Sequence, residues 1–415
     1  MHKLAIGAVA LAAALAVPLA AAAPATARQV NVATSAQLIA AINGARAGDE
    51  IILASGTYGL SGSHGANCAA AGTSAAPITV RAASALQAHI RSSAVEGFAV
   101  SGPNWHFSGL DIVGVCGSDP DCEHAFHVTG AATGFQLRNS RLVDFNAQVK
   151  SNADDSHRLP AGGLVEGNQI YNTRARRTAN PVTPLDLDHA SSWVVRANLI
   201  RDFHKAGGDG ISYGVFVKGG ATAPVLERNM VMCTRYETSG GTRIGMSFGG
   251  GGMAPWACAP RWGGSVCDPE VTGGIMRNNI VVNCSDVGIY LNRAKSSHIL
   301  YNTLVATSGI DFRYASSTGE ARGNVLSGSI RMRDGGTYSG SQNLTNVSLD
   351  RFNGWYQAPL QGDLDKKGEL SALIAKGTPS SLVTNDYCGR SRAGKPSYDL
   401  GALQASLGDC NMPRQ

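Results

Sequence analysis

Apolar residues recur at every second position in short runs along most of this chain. The stretch 210–234 holds one complete unit. It has an alternating run, Val215-Phe216-Val217-Lys218, a turn of Gly219, Gly220 and Ala221, and a second apolar run ending at Asn229, with Val231 two residues on. Period-two alternation with small residues between runs predicts strands rather than helices. The first half of the unit returns as Phe126-His127-Val128-Thr129, Ala147-Gln148-Val149-Lys150, Leu185-Asp186-Leu187-Asp188, Ile244-Gly245-Met246-Ser247, Ile289-Tyr290-Leu291-Asn292, Ile310-Asp311-Phe312-Arg313 and Ile330-Arg331-Met332-Arg333. The second half returns at Asn168, Asn198, Asn279, Asn302 and Asn324, each with an apolar residue two positions later, and at Ser140 with Leu142. These anchors are spaced 28, 30, 31, 50, 23 and 22 residues apart, the signature of a solenoid with uneven insertions at one place per repeat. The pattern predicts an all-β parallel β-helix of about nine to ten coils. Asparagines stacked at one turn can hydrogen-bond their amides to those above and below, satisfying polar groups at a buried corner.

The two ends of the chain break the pattern. Lys3 precedes an alanine-rich apolar run to Ala23, and Ala25-Thr26-Ala27 offers a small-x-small cleavage site. Residues 1–27 read as a secretory signal peptide, which predicts a secreted or periplasmic protein cut near Ala27. Thr34 and Ser35 are placed to cap a short helix running through Ile42, with Leu38, Ile39 and Ile42 on one face and Gly44 as its stop. That helix is the expected lid over the open N-terminal cross-section, since bare strand edges would aggregate. The first strand is expected at Asp49-Glu50-Ile51-Ile52-Leu53. The β-helix with its cap is assigned to 28–345, and 346–415, charged and proline-bearing, to a C-terminal capping segment.

Composition sharpens this picture in two places. The formal net charge is +5, or +4 without Lys3, and no basic run appears. Nucleic acid is not an expected partner and no second span fits a bilayer, while an acidic ligand suits the surface. Nine cysteines in an exported chain predict disulfides with one thiol left over. Cys258 with Cys267 and Cys388 with Cys410 are local pairs; Cys233 and Cys284 occupy matching slots on neighbouring coils. The odd thiol is expected among Cys68, Cys116 and Cys122. A monomer is expected.

Three motifs carry a resemblance. Ala47-Gly48-Asp49-Glu50-Ile51-Ile52-Leu53 with Gly56-Thr57-Tyr58 resembles the opening of the pectate-lyase-like right-handed β-helix proteins. Pro77-Ile78-Thr79-Val80-Arg81-Ala82 is similar to the second strand of their alginate lyase and chondroitinase B branch. Asp386-Tyr387-Cys388-Gly389, Arg392 and Asp399-Leu400-Gly401-Ala402-Leu403-Gln404 resemble the closing signature of many secreted bacterial β-helix proteins. The resemblance implies a right-handed helix and a polysaccharide-active protein, most closely a lyase on an acidic glycan. A glycoside hydrolase using Asp186, Asp188 and Asp209, a C5-epimerase and a non-catalytic carbohydrate-binding protein are the alternatives on the same fold.

Outward residues on stacked coils form columns, with about 4.8 Å between coils. Matching the repeats slot by slot predicts one column of Thr129, Lys150, Asp188, Lys218, Ser247, Asn292, Arg313 and Arg333. Its neighbour is predicted to run His127, Gln148, Asp186, Phe216, Gly245, Tyr290, Asp311 and Arg331. Trp256, Arg261 and Trp262, in the long insertion 249–272, are expected to flank this face and stack on sugar rings. Substrate contacts are thus expected from His127, Asp186, Tyr290, Arg313 and those three residues. β-Elimination needs a cation for the uronate carboxylate, a base for the C5 proton and a proton for the leaving oxygen. Val149-Lys150-Ser151 resembles the Val-Lys-Ser of the lyases, which implies that Lys150 is the base. Where that family shows Leu-x-Leu-Arg-His-Gly, this chain has Leu185-Asp186-Leu187-Asp188-His189-Ala190, so Asp188 replaces an expected arginine. Lys218 or Arg243 is then left to supply the positive charge, or Asp186 and Asp188 to hold a Ca²⁺ that does. His189 beside them completes the candidate catalytic group. A solvated salt-bridge ladder of Lys150, Asp188 and Lys218 is the plainer alternative.

Overall fold

The computed structural model describes residues 27–251, 258 and 267–410. The proposed signal peptide, all but its last residue, and Trp256, Arg261 and Trp262 lie outside the described residues.

Each coil contributes one short strand to each of three parallel sheets of eleven, ten and ten strands. One coil reads Leu164–Glu166, Gln169–Tyr171 and Leu185–Asp188; the next reads Val194–Arg196, Leu199–Arg201 and Ile211–Lys218. Alternating side chains of all three sheets point inward and fill a single core, from Leu38 and Tyr58 at one end to Phe312 and Leu326 at the other. The predicted alternating tetrapeptides all belong to the third sheet, from His124–Thr129 to Ser329–Arg333. At the N-terminus a strand absent from the expectation, Gln29–Val32, pairs in parallel with Glu50–Leu53. Val30 and Val32 face the core while Gln29 and Asn31 are exposed, but a run of four residues is too short to stand out as a strand.

Helix α1 (Ser35–Asn43) follows, with Thr34 accepting from the Gln37 N–H and Gly44 closing the last turn. Leu38 and Ile42 are buried, and α1 packs on Gln29–Val32 and His64–Cys68, over the end of the solenoid.

The asparagine anchors stack as predicted between the first and second sheets. The Nδ2 of Asn168 donates to Asn198 Oδ1 at 2.9 Å; Asn198 donates to Asn229, Asn229 to Asn279, Asn279 to Asn302 and Asn302 to Asn324, each at 3.0 Å. Asn343 extends the ladder by one rung at 2.9 Å, and Ser140 caps the other end through its N–H on Asn168 Oδ1. The second Nδ2 hydrogen is spent on a strand carbonyl, as from Asn229 to Val195. The residue before each anchor takes the left-handed conformation, for example Ala197 at φ 55° and Arg228 at φ 56°, which turns the chain into the second sheet.

Beyond Arg333 the chain runs along the outer face of the second sheet. Helix α2 (Leu349–Trp355) and an antiparallel pair, Tyr356–Ala358 with Asp363–Lys366, bury Phe352, Trp355, Tyr356 and Leu364 against Met230, Met232, Ile280, Val282 and Val305. That is why this face of the second sheet is apolar on both sides. Arg392 is fully buried, donating to the carbonyls of Asp399 and Gly401 between the rings of Tyr301 and Tyr398.

Disulfides join Cys116–Cys122, Cys233–Cys284, Cys258–Cys267 and Cys388–Cys410; Cys68, inside the first coil, is the free thiol. Burial pushes its pKa up, so it is an inert core residue. Among the described residues no helix is long and apolar enough to cross a membrane.

Candidate active site

The third sheet gathers the candidate residues, but in a register that differs from the predicted columns. Lys150 is level with His127 and Asp186, and Asp186 with Phe216; Asp188 is level with Lys218. Lys150 therefore stands two residues away from the position assigned to it beside Asp188. Phe216 continues to Ser247, Tyr290, Asp311 and Arg331, while Asn292, Arg313 and Arg333 form the parallel file. A period-two pattern is unchanged by a slip of two, so alternation cannot fix register; only the turns can. Gln148 leaves its predicted outward column altogether: it is buried, donating to Asn172 at 3.0 Å.

The corrected register makes a closed quartet. Lys150 Nζ lies 2.7 Å from Asp186 Oδ2 and 3.0 Å from Asp188 Oδ2; Lys218 Nζ lies 3.0 Å from Asp186 Oδ1 and 3.4 Å from Asp188 Oδ1. Asn152 Nδ2 donates to Asp188 Oδ2 at 3.1 Å, and Ser151 Oγ to the Asp188 carbonyl. This is not a solvated ladder. Side-chain exposure is 3% for Lys218, 3% for Asp188 and 5% for Asp186, against 13% for Lys150. Lys150 is thus the least buried of the four.

The electrostatics follow from that burial. Burial alone would lower Lys218, but the Asp186 and Asp188 carboxylates outweigh it and hold the ammonium above the ordinary lysine range. Burial would raise Asp186, yet Lys150 and Lys218 hold it well below the usual carboxylate range. The crowding of two ammonium groups therefore does not lower Lys218. The sign of the pH dependence is set by the same pair. The contribution of Asp186 is present above its ordinary 3.8 and lost as pH falls through its depressed value. That of Lys218 is present below its ordinary 10.5 and lost as pH rises through its raised value. Denaturation titrations should show a level contribution between these limits. The acid-side loss of stability should shrink in Asp186→Asn; an unchanged acid limb would count against the pairing.

The same geometry bears on calcium. All four carboxylate oxygens of Asp186 and Asp188 face an ammonium group, so the oxygen set that Ca²⁺ requires is already taken. These residues do not fit that ion.

The remaining candidates separate. His189 is buried, its Nδ1 accepting from the Ala153 N–H at 3.3 Å and its ring against Gly219. Arg243 is level with Ser212, at the far end of the strand from Lys218. It is held by Thr234 Oγ1 and the Ser239 and Gly240 carbonyls. It clamps a loop and brings no charge to the quartet. Tyr290 accepts from Arg313 at 2.9 Å and packs with Ile244 and Tyr213. Arg313 also pairs with Asp334. His127 bridges Glu96 and Asn152 at 2.6 and 2.9 Å.

Beside the quartet opens a pocket lined by Lys218, Phe216, Tyr213, Lys205, Asp209, Pro181, Thr183, Gly250 and Gly251. Tyr213 and Phe216 stack at 4.3 Å, giving an aromatic wall. Glu270 lies behind it, accepting from the Gly250 and Gly251 N–H groups at 3.1 Å, with its carboxyl pushed up by burial. Lys205, Tyr213 and Glu270 were not singled out in the sequence. Lys205 and Glu270 sit in loops without periodicity, and Tyr213 lies in the part of its strand before the alternating core begins.

No protein-family model matches the sequence, and no curated protein does. Among solved structures, pectate lyase Pel9A matches with a TM-score of 0.63 at 15% identity, over 91% of this chain and 96% of that one. A rhamnogalacturonan lyase matches with a TM-score of 0.48 at 15% identity, over 89% and 92%. An alginate lyase from Paenibacillus sp. str. FPU-7 matches with 0.40 at 15% identity, over 76% and 99%. The first likeness, with the three parallel sheets, makes the fold a right-handed parallel β-helix of the pectate-lyase kind.

Proposed function

We propose that this pectate-lyase-like β-helix is an exported polysaccharide-active enzyme, a lyase that cleaves a uronate-containing glycan by β-elimination. The observation that carries the reading is the juxtaposition of a buried Lys-Asp quartet with a pocket that has two lysines on its lining and an aromatic wall. Lys218 and Lys205 supply positive charge for the substrate carboxylate and the enolate-like intermediate. The Tyr213–Phe216 wall offers a stacking surface for a pyranose ring. Lys150, the least buried member of the quartet, takes the C5 proton. Tyr213, kept protonated because burial pushes its pKa up, donates toward the leaving oxygen. Four disulfides suit an oxidising compartment.

A hydrolase would need one of the two aspartates as a free acid and the other as a free base. Their shared ammonium partners work against that division. Incubating the protein with alginate, pectate, glucuronan and chondroitin, and following ultraviolet absorbance from the unsaturated uronate, tests the reading. One substrate should give rising absorbance. Reducing ends released with no absorbance would instead support hydrolysis.

A further inference from the structure

Toward the N-terminal end of the third sheet lies a second polar cluster that the proposed elimination does not use. Strand Glu96–Val100 and strand His124–Thr129 are parallel neighbours, with Glu96 level with His124. His127 follows three residues on, and the two imidazoles meet edge to face at 5.0 Å. One donor atom each from Glu96, His124 and His127 fall within 4.8 Å of one another. Glu96 Oε1 is 2.6 Å from His127 Nδ1, and its Oε2 is 2.9 Å from His64 Nδ1.

His124 is the anomaly. Its Nδ1 is shielded from solvent and has no hydrogen-bond partner. A buried polar atom left unmade is costly, and in a native structure it asks for an unseen partner.

We propose that Glu96, His124 and His127 bind one divalent transition-metal ion of the Zn²⁺ class. Two imidazoles and a carboxylate are the donor set of open zinc sites, which keep a fourth position for water or a ligand. Nitrogen donors favour such ions over Ca²⁺ and Mg²⁺, which take oxygen. Asn152 Oδ1, 2.9 Å from His127 Nε2, orients that ring from the outer shell. His127 is level with Lys150, so the ion lies one coil from the quartet and adds positive charge to that end of the groove. The site stands whether or not the protein is a lyase.

The test uses the untagged full-length mature protein, stripped with a chelator. Zn²⁺ titrated calorimetrically should bind with one equivalent per chain, and Co²⁺ should give a visible ligand-field band. His124→Phe and His127→Gln should each weaken binding by on the order of a hundredfold or more, since even outer-shell changes cost about 10–100-fold. Glu96→Gln provides a third variant that keeps the hydrogen-bonding shape, and melting curves confirm that each is folded. Failure of the stripped wild type to bind either ion would overturn the site. So would wild-type affinity in folded His124→Phe and His127→Gln.

Discussion

Replacing Lys218 by alanine should cut turnover by at least about a hundredfold and also lower folding stability by about 3–5 kcal/mol. The two effects have one cause. Lys218 is the most buried cation of the quartet and lines the pocket, so its loss removes charge from the site and leaves Asp186 and Asp188 sharing a single ammonium. Removing one partner of a buried pair costs far more than removing an exposed one, because the remaining charge stays desolvated. Lys150→Ala should also lose activity, but with a smaller stability change, because Lys150 is the more exposed member. Urea denaturation and initial rates on the cleaved glycan decide it. Lys218→Ala with wild-type stability would show that the quartet is not buried as described. Wild-type turnover in both lysine variants would place the chemistry elsewhere.

Asn229→Leu should destabilise the solenoid by several kcal/mol while leaving the third-sheet groove intact. Asn229 donates to Asn279 and to the Val195 carbonyl, and its Oδ1 accepts from the backbone and side chain of Asn198. Leucine returns none of these bonds, and each buried group left unmade costs about 1–3 kcal/mol. Neighbouring rungs cannot shift to compensate, since their amides are already paired above and below. A melting temperature within a degree or two of wild type would mean that the ladder contributes nothing. KM measured well below the transition should not change.

The ladder was legible because asparagine amide, turn and apolar partner recur together; no strand-level reasoning was needed to align them. The third sheet was legible as strands but not in register. His127, Lys150 and Asp186 proved level because the turns, not the alternation, set the alignment. Burial of the quartet was hidden for another reason. Asp186, Asp188 and Lys218 alternate with core residues and so read as outward. They cover one another instead, each ammonium lying between two carboxylates and Lys218 Nζ 4.3 Å from the centre of the Phe216 ring. Such a cover has no periodic signal. Three of the four disulfides follow from local spacing or matching slots; Cys116 and Cys122 pair across a short loop, and Cys68 is left facing the core.

The elimination of a uronate glycan in this groove is a proposal that the products themselves decide. Mass spectrometry of the products in ¹⁸O-labelled water tests it most directly. Elimination predicts a new non-reducing end that is one water lighter than the hydrolysis product, with no ¹⁸O incorporated at the cleaved bond. Saturated products carrying one ¹⁸O atom per cleavage would contradict it.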